Sequence, residues 1–200
     1  MKKILLFVFI VSVILYGQNS PGYAGSSVEN SQNESWYTYW GIGLPVISYP
    51  SELQNIIDLL GELDDISNTS FNMDMFGLYL HLQPNTIAGF IANFNGDRYL
   101  LGEEYIQINQ YLYSLSVIHY LSDSFGSGFF FRGEGGVAVL SLTSSFGEEI
   151  TSENGFGVLV GGGWSFDFGG TSLLLNVNYA HRIVEEESYD AIGFSIGGLF

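Results

Sequence analysis

Four charged residues have the types and the spacing that could do chemistry together. Arg132 and Glu134 stand two positions apart, so on a β-strand their side chains would lie on one face. Asp74 and Arg182 come from segments that are distant in sequence. Because an unpaired buried charge is costly, these residues must pair if they meet inside one fold. We predict a network of paired charges in the interior of the fold, which is the lumen of the barrel predicted below. Its expected role is structural, and an ion path is the alternative.

Two runs of glutamate form a second cluster of chemical interest. Ca²⁺ prefers carboxylate oxygens, so five residues make a candidate divalent-cation site: Glu148, Glu149, Glu185, Glu186 and Glu187. The sequence has no EF-hand spacing, and a solvated acidic surface is the competing interpretation. The sequence predicts no cofactor.

The composition excludes several classes of protein. The net charge is -16 with only five Lys and Arg residues, whereas nucleic-acid binding needs a basic surface. Cysteine is absent, so neither disulfides nor thiolate metal sites can hold the fold. Hydrophobic residues make up 46% and aromatic residues 16% of the chain, but charged residues only 13%. A disordered acidic chain would lack this aromatic content.

The N-terminus has the layout of a secretory signal peptide. Two lysines precede an apolar run over 4–15, which small residues follow. We predict a signal peptide over 1–24, with cleavage after Gly17 or Ala24, and a flexible leader over 25–34. Beyond the signal no apolar stretch of about 18 residues occurs, so a membrane location would require a closed barrel.

The rest of the chain, 35–200, alternates apolar with small or polar residues, which is the pattern of β-strands. A slip in the alternation near Asn109 predicts a β-bulge there. The fold class is all-β: a closed antiparallel up-and-down transmembrane β-barrel of about eight strands. The predicted strands span 36–48, 70–82, 86–95, 105–120, 128–141, 154–167, 171–184 and 189–200.

The predicted connections alternate between short turns and longer acidic loops. Most of the 21 acidic residues fall in the long loops, and Asp97 is assigned to the second of them. The first of these loops contains apolar residues at helical spacing over 51–65, which predicts an amphipathic helix. We expect this helix to cover the barrel, and contact with a partner or with the lipid surface is the alternative. The long loops span 49–69, 96–104, 142–153 and 185–188.

Aromatic residues near the strand ends predict two girdles around an apolar waist. One girdle contains Trp36, Tyr37, Tyr79, Tyr120, Phe129, Trp164, Phe166 and Phe200. The other contains Tyr49, Phe71, Phe94, Tyr105 and Phe156. On the inward face of the same strands, the sequence predicts small or polar side chains. Glycines on that face are expected to leave room for bulky neighbours.

The last strand carries a resemblance to a known class. Its apolar residues alternate and end on an aromatic one: Ile192, Phe194, Ile196 and Phe200. This pattern resembles the C-terminal β-signal of bacterial outer-membrane proteins, although Gly198 stands where a bulky residue is usual. The chain looks like the small outer-membrane barrels, the class of OmpX, OmpW and the OmpA transmembrane domain.

That resemblance implies a diderm bacterial source, contact with outer-membrane lipid and recognition by the barrel assembly machinery. It also implies acidic extracellular loops, periplasmic termini and a monomer. The leading functional interpretation is a noncatalytic barrel with an envelope-structural or surface-interaction role.

Three other functions remain open. The first is a conduit for small apolar molecules, like OmpW. The second is a lipid-modifying enzyme, although the His-x-Ser pair of the lipid A deacylases has no counterpart at His81, His119 or His181. The third is a soluble, lipocalin-like barrel whose apolar face would point inward around a ligand.

Overall fold

The computed structural model describes residues 36–61, 65–122, 125–147 and 149–200. The predicted signal peptide and leader therefore lie outside the described residues. The described residues form one helix, α1 (Ser51–Gly61), and nine strands. The strands are β1 (Trp36–Ser48), β2 (Ile66–Gln83), β3 (Thr86–Leu101), β4 (Glu104–Tyr120), β5 (Gly128–Ser144), β6 (Ile150–Thr151), β7 (Gly155–Asp167), β8 (Ser172–Val184) and β9 (Glu187–Leu199).

Eight long strands close into an antiparallel barrel. Each pairs with its neighbours along the chain, β5 pairs directly with β7, and β1 pairs with β9 to complete the ring. The two-residue strand β6 pairs with β5 near the C-terminal end of that strand. The predicted closed barrel of about eight strands is confirmed. We call the end that carries α1 the helix end, and the opposite end, which contains Trp36 and Phe200, the terminal end.

Two local predictions were wrong. The predicted loop 96–104 is only a tight turn between β3 and β4, and Asp97 lies within β3. The register of β4 is continuous across Asn109 on both sides, so no bulge occurs there. The irregularity lies instead in β2, where Phe76 has a φ of 56° and the register against β3 shifts. Such a shift changes which face the following residues occupy.

The strands alternate between an apolar outer face and an inner face. On β8, Leu175 and Val177 are exposed outside, while Asn176 and Asn178, at the alternate positions, are buried inside. The outer rows of the other strands add large exposed apolar side chains such as Ile42, Leu44, Phe90, Leu115, Val160, Phe194 and Ile196. We call this surface the apolar belt.

The sequence predicted that small and polar residues line the lumen, but large apolar side chains line it as well. Near the terminal end, buried aromatic and aliphatic side chains pack together as the terminal cluster: Tyr37, Tyr39, Tyr79, Ile87, Ile91, Ile118, Tyr120, Phe130, Leu174 and Leu199. Near the helix end, a second set forms the mouth cluster: Tyr49, Tyr99, Ile108, Ala138, Val184 and Tyr189. The girdle prediction is therefore wrong for Tyr37, Tyr79, Tyr120 and Tyr49, which fill the lumen because each occupies an inward position.

Helix α1 lies against the mouth cluster. Leu53 and Ile57, one turn apart, pack on that cluster, while Ile56 and Leu59 remain exposed. The helix begins where predicted, and it is described to Gly61. The described residues contain no helix with the length and apolarity that a membrane crossing requires.

The turn between β8 and β9 stores backbone strain that two substitutions should relieve. Glu185 and Glu186 have φ values of 52° and 68°, which is the two-residue turn that favours Asn-Gly. Replacing this pair by Asn-Gly should raise the free energy of unfolding by about 1–2 kcal/mol, because side chains other than Gly and Asn resist positive φ. Thermal unfolding in detergent measures the change. An unchanged or lowered Tm would show that the turn is not strained.

A buried charge network as the candidate functional site

Arg132 on β5 is the centre of the charge network in the lumen. Its Nη1 and Nη2 donate to Asp74 Oδ2 and Oδ1 at 2.7 and 2.9 Å, which makes a bidentate pair with β2 across the barrel. Its Nε donates to Glu134 Oε1 at 2.5 Å. The ring of Tyr39 lies 5.4 Å from the guanidinium carbon. Ser114 Oγ donates to the other oxygen of Glu134 at 2.8 Å.

Arg182 on β8 joins this network through amides rather than carboxylates. Its Nη2 donates to Asn93 Oδ1 at 2.5 Å, and its Nη1 to Gln110 Oε1 at 3.3 Å. The nitrogen of Asn93 in turn donates to Asp74 Oδ1 at 2.9 Å. Asn95 fits best with its amide oxygen toward Arg182, at 3.1 and 3.0 Å from the two terminal nitrogens. Asn93 thus links the two arginines through Asp74.

The structure brings all four predicted network residues together in the lumen. All four are buried, and Arg182 is fully inaccessible. Two carboxylates face two guanidiniums, so the charges of the four balance. Gly157 makes room for Arg182, because a Cβ there would lie 3.2 Å from Arg182 Cγ. This supports the prediction that inward glycines admit bulky neighbours.

The amide and hydroxyl partners of the network were not predicted from the sequence. Asn93, Asn95, Gln110 and Ser114 are all buried. A signal existed, because asparagines at alternate positions of one strand place polar groups on a single face. Asp97 extends the same row toward the helix end.

Among the described residues, two histidines contact polar side chains, and the two contacts lie at different ends of the barrel. His181 Nδ1 lies 2.8 Å from Asp190 Oδ1 on the outer face of β8 and β9. His119 Nδ1 lies 2.9 Å from Thr86 Oγ1, but that pair belongs to the other end of the barrel. The two pairs cannot combine into one triad. Among the described residues, the partners of His119 and His181 are not members of the charge network.

The described members of the candidate divalent-cation set do not form one group. Glu148 lies outside the described residues. Ser141 Oγ donates to Glu149, and the backbone nitrogen of Glu153 donates to Glu185 Oε1 at 3.1 Å. Within the described ranges, no three acidic, histidine or cysteine side chains form a group that could hold a metal ion.

The predicted assembly residues lie on the outside of β9. Ile192, Phe194 and Ile196 are exposed along the apolar belt. Phe200 pairs by its backbone with Thr38 of β1, with N···O distances of 2.9 Å in both directions. The ring of Phe200 covers Gly198, where a Cβ would lie 2.6 Å from a ring carbon. This contact explains why a glycine can occupy that position.

Comparisons with known proteins find similar architectures among solved structures. Ail, the attachment invasion locus protein of Yersinia pestis, aligns with 84% of this chain and 99% of its own, at 13% identity and a TM-score of 0.49. The N-terminal β-barrel domain of Pseudomonas aeruginosa OprF aligns with 84% of this chain and 100% of its own, at 12% identity and a TM-score of 0.43.

The outer membrane protein OprG of Pseudomonas aeruginosa covers 82% of this chain and 94% of its own, at 10% identity and a TM-score of 0.40. No protein-family model matches the chain, and no curated protein sequence matches it significantly.

Proposed function

We propose that this protein is a noncatalytic barrel of the bacterial outer membrane with an envelope-structural or surface-interaction role. The observation that carries the proposal is the inside-out distribution of its residues. Buried charges and amides occupy the lumen, while large apolar side chains cover the outside. In water, a continuous apolar surface of this kind would drive aggregation. In a bilayer the same surface is the one that lipid covers.

The inside-out distribution also argues against the lipocalin-like alternative. A soluble ligand-binding barrel would place its apolar residues around an internal cavity. Here the middle of the lumen is occupied by Arg132, Asp74, Glu134 and Arg182. The apolar belt instead exposes residues such as Leu44 and Leu115, at 69% and 74% of their surface.

The packed side-chain clusters in the lumen favour a structural role over a conduit. The terminal cluster and the mouth cluster occupy opposite ends of the interior, and α1 packs on the second of them. A small apolar molecule would have to displace these side chains and then pass the charge network. The network connects side chains of five strands across the barrel: β2, β3, β4, β5 and β8. Such cross-links make the barrel rigid, which suits a structural role.

The proposed orientation places α1 and the acidic turns at the cell surface and both chain termini in the periplasm. Exposed acidic residues concentrate at the helix end, where divalent cations could bridge them to neighbouring surface groups. On this view the last residues of β9 form the signal that the assembly machinery reads, and the barrel functions as a monomer.

Membrane fractionation combined with gel migration tests the location. The protein should sediment with outer membranes and resist extraction by sodium carbonate. It should also migrate faster on a gel when unheated than when boiled, because the folded barrel is compact. Recovery in the soluble fraction, with migration that heating does not change, would contradict the proposal.

A further inference from the structure

Asp97 is a buried carboxylate that the charge network does not neutralise. It lies on the inner face of β3, one inward position beyond Asn95 toward the helix end, and is 4% exposed. Its Oδ2 accepts a hydrogen bond from the Tyr49 hydroxyl at 2.7 Å. Its Oδ1 is buried and makes no hydrogen bond of good geometry among the described residues, and the Tyr99 hydroxyl also interacts with this carboxylate.

The charge balance of the lumen is unequal once Asp97 is included. The buried charged side chains are the carboxylates of Asp74, Asp97 and Glu134 and the guanidiniums of Arg132 and Arg182. Both guanidiniums are committed elsewhere, Arg132 to two carboxylates and Arg182 to amide oxygens. By formal charge, the described lumen therefore holds one more carboxylate than guanidinium groups. Burial of an uncompensated charge is expensive, so a counter-charge is expected.

In the part of the chain that the structure describes, the groups that contact Asp97 are neutral and polar. The amide nitrogen of Gln110, a fully buried residue, lies near the Tyr49 hydroxyl but makes no hydrogen bond of good geometry there. Burial raises the pKa of the Tyr49 phenol, as does the neighbouring carboxylate of Asp97, so this hydroxyl remains a neutral donor. Tyr99 and Tyr189 belong to the mouth cluster, on which α1 packs through Leu53 and Ile57.

We propose that Asp97 Oδ1 binds a small monovalent inorganic cation, of the size of Na⁺ or K⁺, beneath α1. A single carboxylate matches the charge of a monovalent ion. Ca²⁺ sites, by contrast, use six to eight oxygen ligands and several carboxylates. The amide nitrogen of Gln110 would donate to a water in the hydration shell of the ion. This site is distinct from the acidic turns, whose glutamates are exposed.

Salt-dependent thermal unfolding of the full chain in detergent tests the site. The Tm is measured in NaCl, KCl and choline chloride at equal ionic strength, because choline is too large to enter. The unmodified protein should gain about 3–6 °C in NaCl or KCl at tenfold the dissociation constant, relative to choline chloride. General screening by salt is unchanged at constant ionic strength. A gain in Tm that rises and then saturates as Na⁺ or K⁺ replaces choline therefore indicates a binding site.

Two substitutions distinguish the proposed site from other carboxylates. Asp97→Asn keeps the acceptor for Tyr49 and removes the charge, so the difference between the salts should disappear. Asp190→Asn, which removes an exposed carboxylate on the outer face, should leave the difference intact. The proposal is overturned if the unmodified protein shows no difference between the salts, or if Asp97→Asn retains it.

A second measurement covers the case in which Asp97→Asn fails to fold. Thallium(I), which replaces K⁺ and scatters anomalously, is soaked into crystals of the unmodified protein. An anomalous peak within bonding distance of Asp97 Oδ1 supports the site. Crystals whose thallium peaks lie only at surface glutamates would refute it.

Discussion

Replacing Arg132 by methionine should prevent the barrel from reaching its folded state, or destabilise it by about 3–5 kcal/mol. Removing one partner of a buried ion pair leaves the other charge without compensation. Here it would leave two carboxylates, Asp74 and Glu134, which Arg132 contacts at 2.7 and 2.5 Å. Urea unfolding in detergent or lipid vesicles, followed by tryptophan fluorescence, measures the loss.

A charge-neutral variant provides the matched control. Combining Arg132→Met with Asp74→Asn and Glu134→Gln removes the two orphaned charges along with the arginine. This triple variant should recover a large part of the lost stability, because its remaining polar groups are neutral. If the single and triple variants are equally unstable, the loss comes from packing around Arg132 and not from the charge network.

Placing an arginine in the apolar belt should oppose insertion strongly. Val177 on β8 is half exposed between Leu175 and Tyr179. Val177→Arg should cost about 2–4 kcal/mol of folding free energy in a bilayer, the range for arginine near the midplane of a membrane barrel. Folding into lipid vesicles across a urea titration gives this value directly.

Ile150→Arg provides the comparison at a site outside the belt. Ile150 lies in β6 at the helix end and is more exposed than Val177. The same charge there should cost little, because water surrounds it. Equal, small effects at both positions would indicate that the belt faces water, and would favour a soluble barrel.

The strand pattern was predictable because a single-layer barrel wall has a different environment on each side. The alternation over 171–184 identified β8 almost to the residue, and Leu174, its one exception, lies in the terminal cluster. Strand ends were less predictable. Gly96, Asp97 and Arg98 resemble the start of a loop, yet they continue β3, because the inner face of that strand is also polar.

The network could be predicted as a set of charges but not as a set of contacts. Arg132 and Glu134 share a strand, so sequence spacing placed them together. The partners on other strands depend on register, which sequence spacing does not define. The position of Asp97 was not predictable for a related reason. Its charge suggested a loop, and it lies in the lumen because β3 is longer than predicted.

The pairing of β1 with β9 has a consequence for how the chain is made. The first strand of the barrel, β1, finds one of its two neighbours only in β9, the last strand of the barrel. Until β9 is available, a partly made barrel has two open backbone edges and an apolar exterior, the features that favour aggregation. A chain with this topology should need a holding chaperone until β9 is available.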